Sequence, residues 1–135
     1  MERTLKKRIL VVDDEPGFTH LLRLSLEQQG SYEVREVNES RKTLAAAMEF
    51  GPDLILLDMM MPMASGSEIA AQLKADHQFS SIPVIFLTAL VSDEAECAGS
   101  FGMGRLQYLP KSIKVRRLVD CIERAIGNSP ATSAQ

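Results

Sequence analysis

Residues 53–58 read Asp53-Leu54-Ile55-Leu56-Leu57-Asp58, with Gly51-Pro52 directly before them and Pro62 shortly after. A run of four large aliphatic residues between such helix breakers is too short for a helix and predicts a β-strand that is buried on both faces. A strand of this kind belongs in the middle of a parallel sheet. Asp58 follows at its carboxyl end, which is the edge where ligands bind in open α/β sheets. Asp58 is therefore the candidate reactive group.

The rest of the chain alternates in the same way between apolar strands and amphipathic helices. Further strands are predicted at 9–12, 32–37, 83–87 and 106–109, with 32–37 at the sheet edge because it is short and more polar. Five helices are predicted. The first runs from Pro16 to Gly30 with Phe18, Leu21, Leu22 and Leu26 on its inward stripe, and the second passes through Leu44 and Met48, capped by Asn38 or Ser40. The third follows a loop that holds Pro62 and Gly66, has Ile69, Ala70 and Leu73 inward and runs to about His77; the fourth, short or mobile, starts at Ser92; and the fifth passes through Leu118, Val119, Ile122 and Ile126. Five strand–helix units predict a parallel sheet with right-handed crossovers, covered by helices on both faces.

Composition limits the class of protein. A chain of 135 residues with 45% apolar and 24% charged residues is expected to form one globular domain. Its net charge of -3 favours neither nucleic acid nor a membrane as a direct partner. The sequence has no apolar run of membrane-spanning length and no signal peptide, so we expect a cytoplasmic protein. Cys97 and Cys121 lack metal-ligand spacing, and we expect both to be reduced packing residues.

Polar side chains follow the predicted strands at the edge where those strands end. Asp13 and Asp14 follow the first strand, Asp58 the third, Thr88 the fourth, and Lys111 comes just after the fifth. Carboxylates about 4 Å apart repel by roughly 4 kcal/mol at an effective dielectric near 20, which one lysine does not offset. An all-oxygen donor set selects a hard divalent cation, Mg²⁺ first and Mn²⁺ or Ca²⁺ next. Beside such a cation, Asp58 could take up a phosphoryl group as a nucleophile, with Lys111 and Thr88 contacting the transferred oxygens.

These strand-end motifs together resemble one known family. In chain order the motifs are Asp13-Asp14-Glu15, Asp58 with Met61-Pro62 and Gly66, Thr88-Ala89, and Tyr108-Leu109-Pro110-Lys111. Over about residues 8–127 they resemble the response-regulator receiver domain of two-component signalling, in its stand-alone, chemotaxis-regulator-like form. The resemblance implies a flavodoxin-like, doubly wound α/β fold with a five-stranded parallel sheet of order 2-1-3-4-5 and five helices. Residues 1–7 would then form an N-terminal extension, and 128–135 a disordered tail.

The resemblance also implies a role for each site residue. Asp58 would accept a phosphoryl group from a histidine kinase or a histidine phosphotransfer protein. Asp14 would bind Mg²⁺ directly and Asp13 directly or through water, with Asp58 and the backbone carbonyl of Met60 completing the protein ligands. Thr88 and Lys111 would contact the phosphoryl group, and Tyr108 would change rotamer with Thr88 on activation. The switch would act through a face formed by the fourth and fifth predicted helices and the fifth strand, towards a downstream target that the sequence does not identify.

The sequence departs from the family pattern in the glycines of the fourth predicted helix, at 99, 102 and 104, and in two of the segments that flank the motifs. Ser112 follows Lys111, where the family commonly has proline. Residues 38–40, Asn38-Glu39-Ser40, stand where a small residue and a glycine turn are common. None of these departures removes a chemical group from the site.

Other functions remain open from the residues alone. A metal-dependent aspartyl phosphatase also uses a nucleophilic aspartate, but it needs a second aspartate two positions further on, and Met60 stands there. A nucleotide-binding flavodoxin-like protein needs backbone donors and hydroxyls after its first strand, where this chain has three acids. A pseudo-receiver would bind partners without phosphorylation. We expect no enzyme beyond a domain that catalyses its own phosphorylation and dephosphorylation.

Overall fold

The computed structural model describes residues 6–59, 61, 66–89 and 106–126. These residues form five strands and four α-helices, with one 3₁₀ turn at Ser40–Lys42. The strands are β1 (Lys7–Val12), β2 (Tyr32–Val37), β3 (Leu54–Asp58), β4 (Val84–Thr88) and β5 (Leu106–Pro110). The helices are α1 (Pro16–Glu27), α2 (Thr43–Phe50), α3 (Gly66–Lys74) and α4 (Val115–Ile126).

All neighbouring strands pair in parallel, in the order β2-β1-β3-β4-β5. The predicted flavodoxin-like order is therefore confirmed, as is the edge position of β2. Because every strand runs the same way, the carboxyl ends of β1, β3, β4 and β5 meet at one edge of the sheet. This edge carries Asp13, Asp58, Thr88 and Lys111.

The sheet separates two apolar layers, since successive side chains of a strand point to opposite faces. One layer joins β-strand residues such as Leu57 and Phe86 to α2 and α3. The other joins residues such as Leu56 and Leu87 to α1 and α4. All five residues of β3 are buried, as expected of a central strand covered on both faces.

The first helix shows why tertiary packing decides which leucines turn inward. Leu21 was expected on the inward stripe of α1, and this is wrong, because its side chain is 63% exposed. The buried residues of α1 are Thr19, Leu22 and Leu26, which follow helical spacing of three and four residues. Leu21 lies one position before Leu22 and so falls outside this stripe.

The prediction of a side-chain cap for the second helix is also wrong. A 3₁₀ turn precedes α2, and neither Asn38 nor Ser40 is its N-cap, a position held by Lys42 without a side-chain hydrogen bond. The predicted end is confirmed, because Gly51 follows α2 in the left-handed region at φ 66° and its N–H donates to Ala47.

Three further expectations concern α4, the segment before β5 and membrane spans. Cys121 is buried and disulfide-bonded, so the expectation of a reduced thiol is wrong for this residue. Cys97 lies outside the described residues, as does the helix predicted to start at Ser92. In the part of the chain that the structure describes, no helix has the length and apolar character needed to cross a bilayer.

Candidate functional site

The fold brings three aspartates together. Val12 of β1 pairs with Leu57 of β3, so the residues that follow them, Asp13 and Asp58, lie side by side at the end of the sheet. Carboxylate oxygens of Asp13, Asp14 and Asp58 all lie within 4.8 Å of one another. Asp13 and Asp58 are buried, with 1% and 5% of their surface exposed, whereas Asp14 is exposed. The predicted meeting of acidic side chains is thus present, and it opens towards solvent at Asp14.

Lys111 joins these carboxylates across the site. Its Nζ lies 2.7 Å from Oδ2 of Asp13, 3.5 Å from Oε1 of Glu15 and 3.6 Å from Oδ2 of Asp58. Among the described residues this ammonium is the one partner of the buried Asp13 Oδ2. The Nζ also lies 4.9 Å from the ring centre of Phe18, a cation–π contact. The backbone N–H of Lys111 donates to the Thr88 carbonyl at 2.9 Å, which fixes the start of its loop.

The site carries more negative than positive charge. Burial raises the pKa of Asp13, and the hydrogen bond from Lys111 and the Lys111 charge only partly offset this. Burial alone would lower the pKa of Lys111, but the hydrogen bond to Asp13 and the charges of Asp13, Asp58 and Glu15 raise it overall. One ammonium therefore faces several carboxylates that repel one another. The donors are all oxygen, two of the three acids are buried, and the third reaches solvent, so the residues present fit a hard divalent cation.

The residues on either side of the loop after β3, Met59 and Gly66, are in close backbone contact. The N–H of Gly66 donates to the Met59 carbonyl at 2.9 Å. A Cβ built on Gly66 would lie 2.3 Å from the Asp58 carbonyl oxygen and 2.9 Å from the Met59 Cα. Only glycine allows this contact, which holds the backbone of Asp58 in place. Met60, whose carbonyl was expected to bind the cation, lies outside the described residues.

Thr88 and Tyr108 lie on the α2/α3 side of the sheet. Thr88 is buried at the end of β4 and pairs with Pro110, the residue before Lys111. Tyr108 is half-buried, and its ring stacks on Phe86 with centroids 4.9 Å apart. Asp13 and Asp58 project to the other side. Thr88 thus lies at the same sheet edge as the acidic cluster, and Tyr108 lies two residues before Pro110 on β5, on the same side of the sheet as Thr88.

Sequence reasoning missed three residues around the site. Glu15 and Phe18 contact the Lys111 ammonium, and the Asn38 amide donates to the Asp13 carbonyl at 2.8 Å. The position of Asn38 directly after the edge strand was a signal, since a polar residue there can reach the end of β1. For Phe18 the helical spacing predicted only packing.

The fold and the site together define a class: a parallel α/β domain with a buried strand-end aspartate inside an acidic cluster whose oxygen donors fit a divalent cation. Comparison with known families identifies the family within this class: the response regulator receiver domain matches residues 9–123. The chain belongs to this family. Receiver domains are phosphoacceptor signalling domains that histidine kinases phosphorylate.

Individual relatives agree with this assignment. The chain is 36% identical over 112 residues to the DNA-binding dual master transcriptional regulator RpaA of Synechocystis, covering 83% of this chain and 46% of RpaA. It is 38% identical over 113 residues to the phosphate regulon transcriptional regulatory protein PhoB of Pseudomonas aeruginosa, covering 84% of this chain and 48% of PhoB. The chain thus spans about half the length of these relatives.

Among solved structures, the Vibrio cholerae chemotaxis protein CheY4 matches with a TM-score of 0.76 and 26% identity, over 90% of this chain and 99% of CheY4. A receiver domain from Clostridium thermocellum matches with a TM-score of 0.76 and 28% identity, over 94% of this chain and 99% of that domain.

Proposed function

We propose that Asp58 is the phosphoacceptor and that it receives its phosphoryl group from a histidine kinase or a histidine phosphotransfer protein. The observation that carries this proposal is the placement of a buried strand-end carboxylate among other acids, within 4.8 Å of Asp13 and Asp14 oxygens and 3.6 Å from the Lys111 ammonium. A buried carboxylate among other carboxylates lowers the stability of the folded chain. A reaction at Asp58 accounts for a carboxylate being kept there.

The chemistry follows from the groups present. One carboxylate oxygen of Asp58 attacks the phosphorus of a phosphohistidine, a P–O bond forms as the P–N bond breaks, and the leaving imidazole keeps the electron pair and takes up a proton. Lys111 stabilises the negative charge on the phosphoryl oxygens, and the Thr88 hydroxyl donates to one of them. Asp13 holds the Lys111 ammonium in place through its 2.7 Å contact.

The cation is proposed to be Mg²⁺, held by Asp13, Asp14, Asp58 and the Met60 carbonyl. When bound, it neutralises phosphoryl oxygens and offsets the repulsion among the carboxylates. Its support is the all-oxygen donor set and the single nearby ammonium.

Signalling is proposed to follow phosphorylation through a population shift in which Thr88 moves towards the phosphoryl group and Tyr108 changes rotamer with it. The shared sheet side of Thr88 and Tyr108, and the stacking of Tyr108 on Phe86, support a coupled movement. The partner surface would include β5 and α4. The domain is proposed to span residues 8–127, to act in the cytoplasm through protein contacts rather than by binding nucleic acid or membrane itself, and to catalyse only its own phosphorylation and dephosphorylation.

The test is phosphorylation by a small donor. The full chain is incubated with phosphoramidate and Mg²⁺ and its intact mass is measured, with Asp58→Asn as the test variant. The matched control is Asp53→Asn, which changes a carboxylate at the opposite end of the same strand, where Asp53 accepts from the Arg8 N–H. The expected result is one added phosphoryl group in the unaltered chain and in the control, and none in Asp58→Asn or with EDTA. Equal phosphorylation of Asp58→Asn would contradict the proposal.

A further inference from the structure

The backbone N–H and the backbone carbonyl of Asp13 are both hydrogen-bonded at the end of the edge strand β2, to Val37 and to Asn38, the residue that follows it. Its N–H donates to the Val37 carbonyl at 3.0 Å, which continues the β1–β2 ladder one step past Val12. Its carbonyl accepts from the side-chain amide of Asn38 at 2.8 Å. The chain leaves the ladder after Val37 to enter the 3₁₀ turn, so the Asn38 amide supplies the donor that a continuing strand would have supplied.

The amide of Asn38 is itself held in one orientation. Its second N–H donates to Oγ1 of Thr19 at 3.0 Å. Thr19 is fully buried, and its hydroxyl lies 2.9 Å from Oε1 of Glu36, a charged acceptor. The Pro16 carbonyl, at 3.1 Å, is a second acceptor for the same hydroxyl proton. Because the proton goes to one of these two oxygens, the hydroxyl oxygen is left to accept from Asn38. Glu36 is in turn contacted by Arg23 at 3.3 Å. A chain of hydrogen bonds thus runs from the surface of α1, through the Glu36 carboxylate and the Thr19 hydroxyl, to the Asn38 amide and the Asp13 carbonyl.

This anchoring matters most for Asp14. Asp13 is also fixed through its side chain, which accepts from the Glu15 N–H at 3.0 Å and contacts Lys111. Among the described residues, none forms a hydrogen bond or ion pair with the Asp14 side chain, which is exposed. The backbone is therefore what places the Cα–Cβ bond of Asp14, from which its carboxylate extends. The oxygen of the peptide between Asp13 and Asp14 is the atom that Asn38 holds.

We infer that Asn38, oriented by Thr19 and Glu36, is a positioning residue that aims the Asp14 carboxylate at the divalent cation. The inference rests on the cation-binding role proposed for Asp14. It also gives a role to Asn38 in the segment 38–40, which departs from the family pattern. Residues that orient metal ligands without touching the metal typically change affinity by about 10–100-fold when removed, and an effect through one peptide plane belongs at the low end of this range.

The test is a Mg²⁺ titration of the full chain, in which binding is monitored through the backbone amide chemical shifts of Asp13 and Asp14 in NMR spectra. Asn38→Leu keeps the size of the side chain and removes the donor, and we expect a rise of about tenfold in the Mg²⁺ dissociation constant. Thr19→Val, which removes the acceptor for Asn38, is expected to raise it in the same direction. Thr19→Ser keeps the hydroxyl and is expected to restore binding close to that of the unaltered chain.

A matched control separates positioning from loss of stability. Lys74→Met removes side-chain donors to two backbone carbonyls, Ser80 at 3.2 Å and Ile82 at 2.8 Å, beside the amino end of β4 and far from the site. It is expected to lower the thermal midpoint and leave the Mg²⁺ affinity unchanged. The inference is overturned if Asn38→Leu changes the affinity by less than about threefold, or if Lys74→Met changes it equally. No Mg²⁺ binding by the unaltered chain would overturn the cation site itself, which distinguishes the two failures.

Discussion

The carboxylates of the site lie at the ends of β1 and β3, and the loops that follow these two strands are held in different ways. The loop after β1 is held by side chains: Asn38 donates to the Asp13 carbonyl, and Lys111 contacts the Asp13 carboxylate. The loop after β3 is held by backbone, through the Gly66 N–H and the close approach of Gly66 to Asp58. A side-chain anchor can be changed without forcing atoms together, whereas a substitution at Gly66 forces the backbone of the phosphoacceptor to move. The first loop is thus open to tuning of cation affinity, and the second is constrained by sterics.

The largest effect is expected where the two loops meet, at Lys111, which contacts Asp13 and Asp58 together. Lys111→Met removes the group that stabilises charge on the transferred oxygens, so the rate of phosphorylation by phosphoramidate should fall by about 100-fold or more. The control is Lys114→Met, since Lys114 is exposed in the same loop. Equal rates for Lys111→Met and the unaltered chain would show that Lys111 takes no part in transfer.

Steric control of the second loop is tested by Gly66→Ala. The added Cβ meets backbone atoms rather than a flexible side chain, so the free energy of unfolding should fall by about 1–3 kcal/mol. Urea denaturation measures this. The matched control is Gly17→Ala in α1, where a Cβ meets nothing within 4 Å and should stabilise by up to about 1 kcal/mol. If both substitutions behaved alike, the close approach at Gly66 would not constrain the loop.

The charge imbalance shared by both loops predicts that Mg²⁺ stabilises the folded chain. At ten times its dissociation constant, the cation should add about 1.4 kcal/mol to the free energy of unfolding. The increase is measured by thermal denaturation with and without EDTA. Asp14→Asn, which removes the exposed ligand, should lose most of the increase. A full increase in this variant would place the cation elsewhere.

The smallest effect is expected at Glu36, at the outer end of the hydrogen-bond chain that supports the first loop. Burial would raise the pKa of Glu36, but hydrogen bonds from Thr19, His20 and Arg23 outweigh it and lower the pKa below its ordinary value of 4.5. A carboxyl with a lowered pKa stabilises the fold above its ordinary value, and this is lost as the pH falls through the folded value. The stability advantage over Glu36→Gln should therefore be constant near neutral pH and vanish in acid. An advantage independent of pH would contradict this.

The sequence predicted the regular parts of this molecule better than its connections. The bounds of β2 and the end of α2 at Gly51 follow from local pattern, and the structure confirms both. The strand-end carboxylates could be predicted because parallel topology alone brings them to one edge. The bond from Asn38 to Asp13 joins residues 25 positions apart and depends on which strand β2 pairs with and on the register of that pairing, which no local pattern specifies. The prediction that Leu21 is buried is wrong for a similar reason, because apolar character alone does not tell which face of α1 packs on the sheet.

The central claim is that a phosphoryl group is carried by one particular aspartate at the end of β3. The most direct measurement treats the chain with phosphoramidate and Mg²⁺, reduces it with borohydride, and maps the peptides by mass spectrometry. Borohydride converts an acyl phosphate of aspartate to homoserine, so we expect homoserine at position 58 and at no other aspartate. Homoserine at Asp13 or Asp14, or unmodified Asp58 in a sample whose intact mass shows phosphorylation, would contradict it.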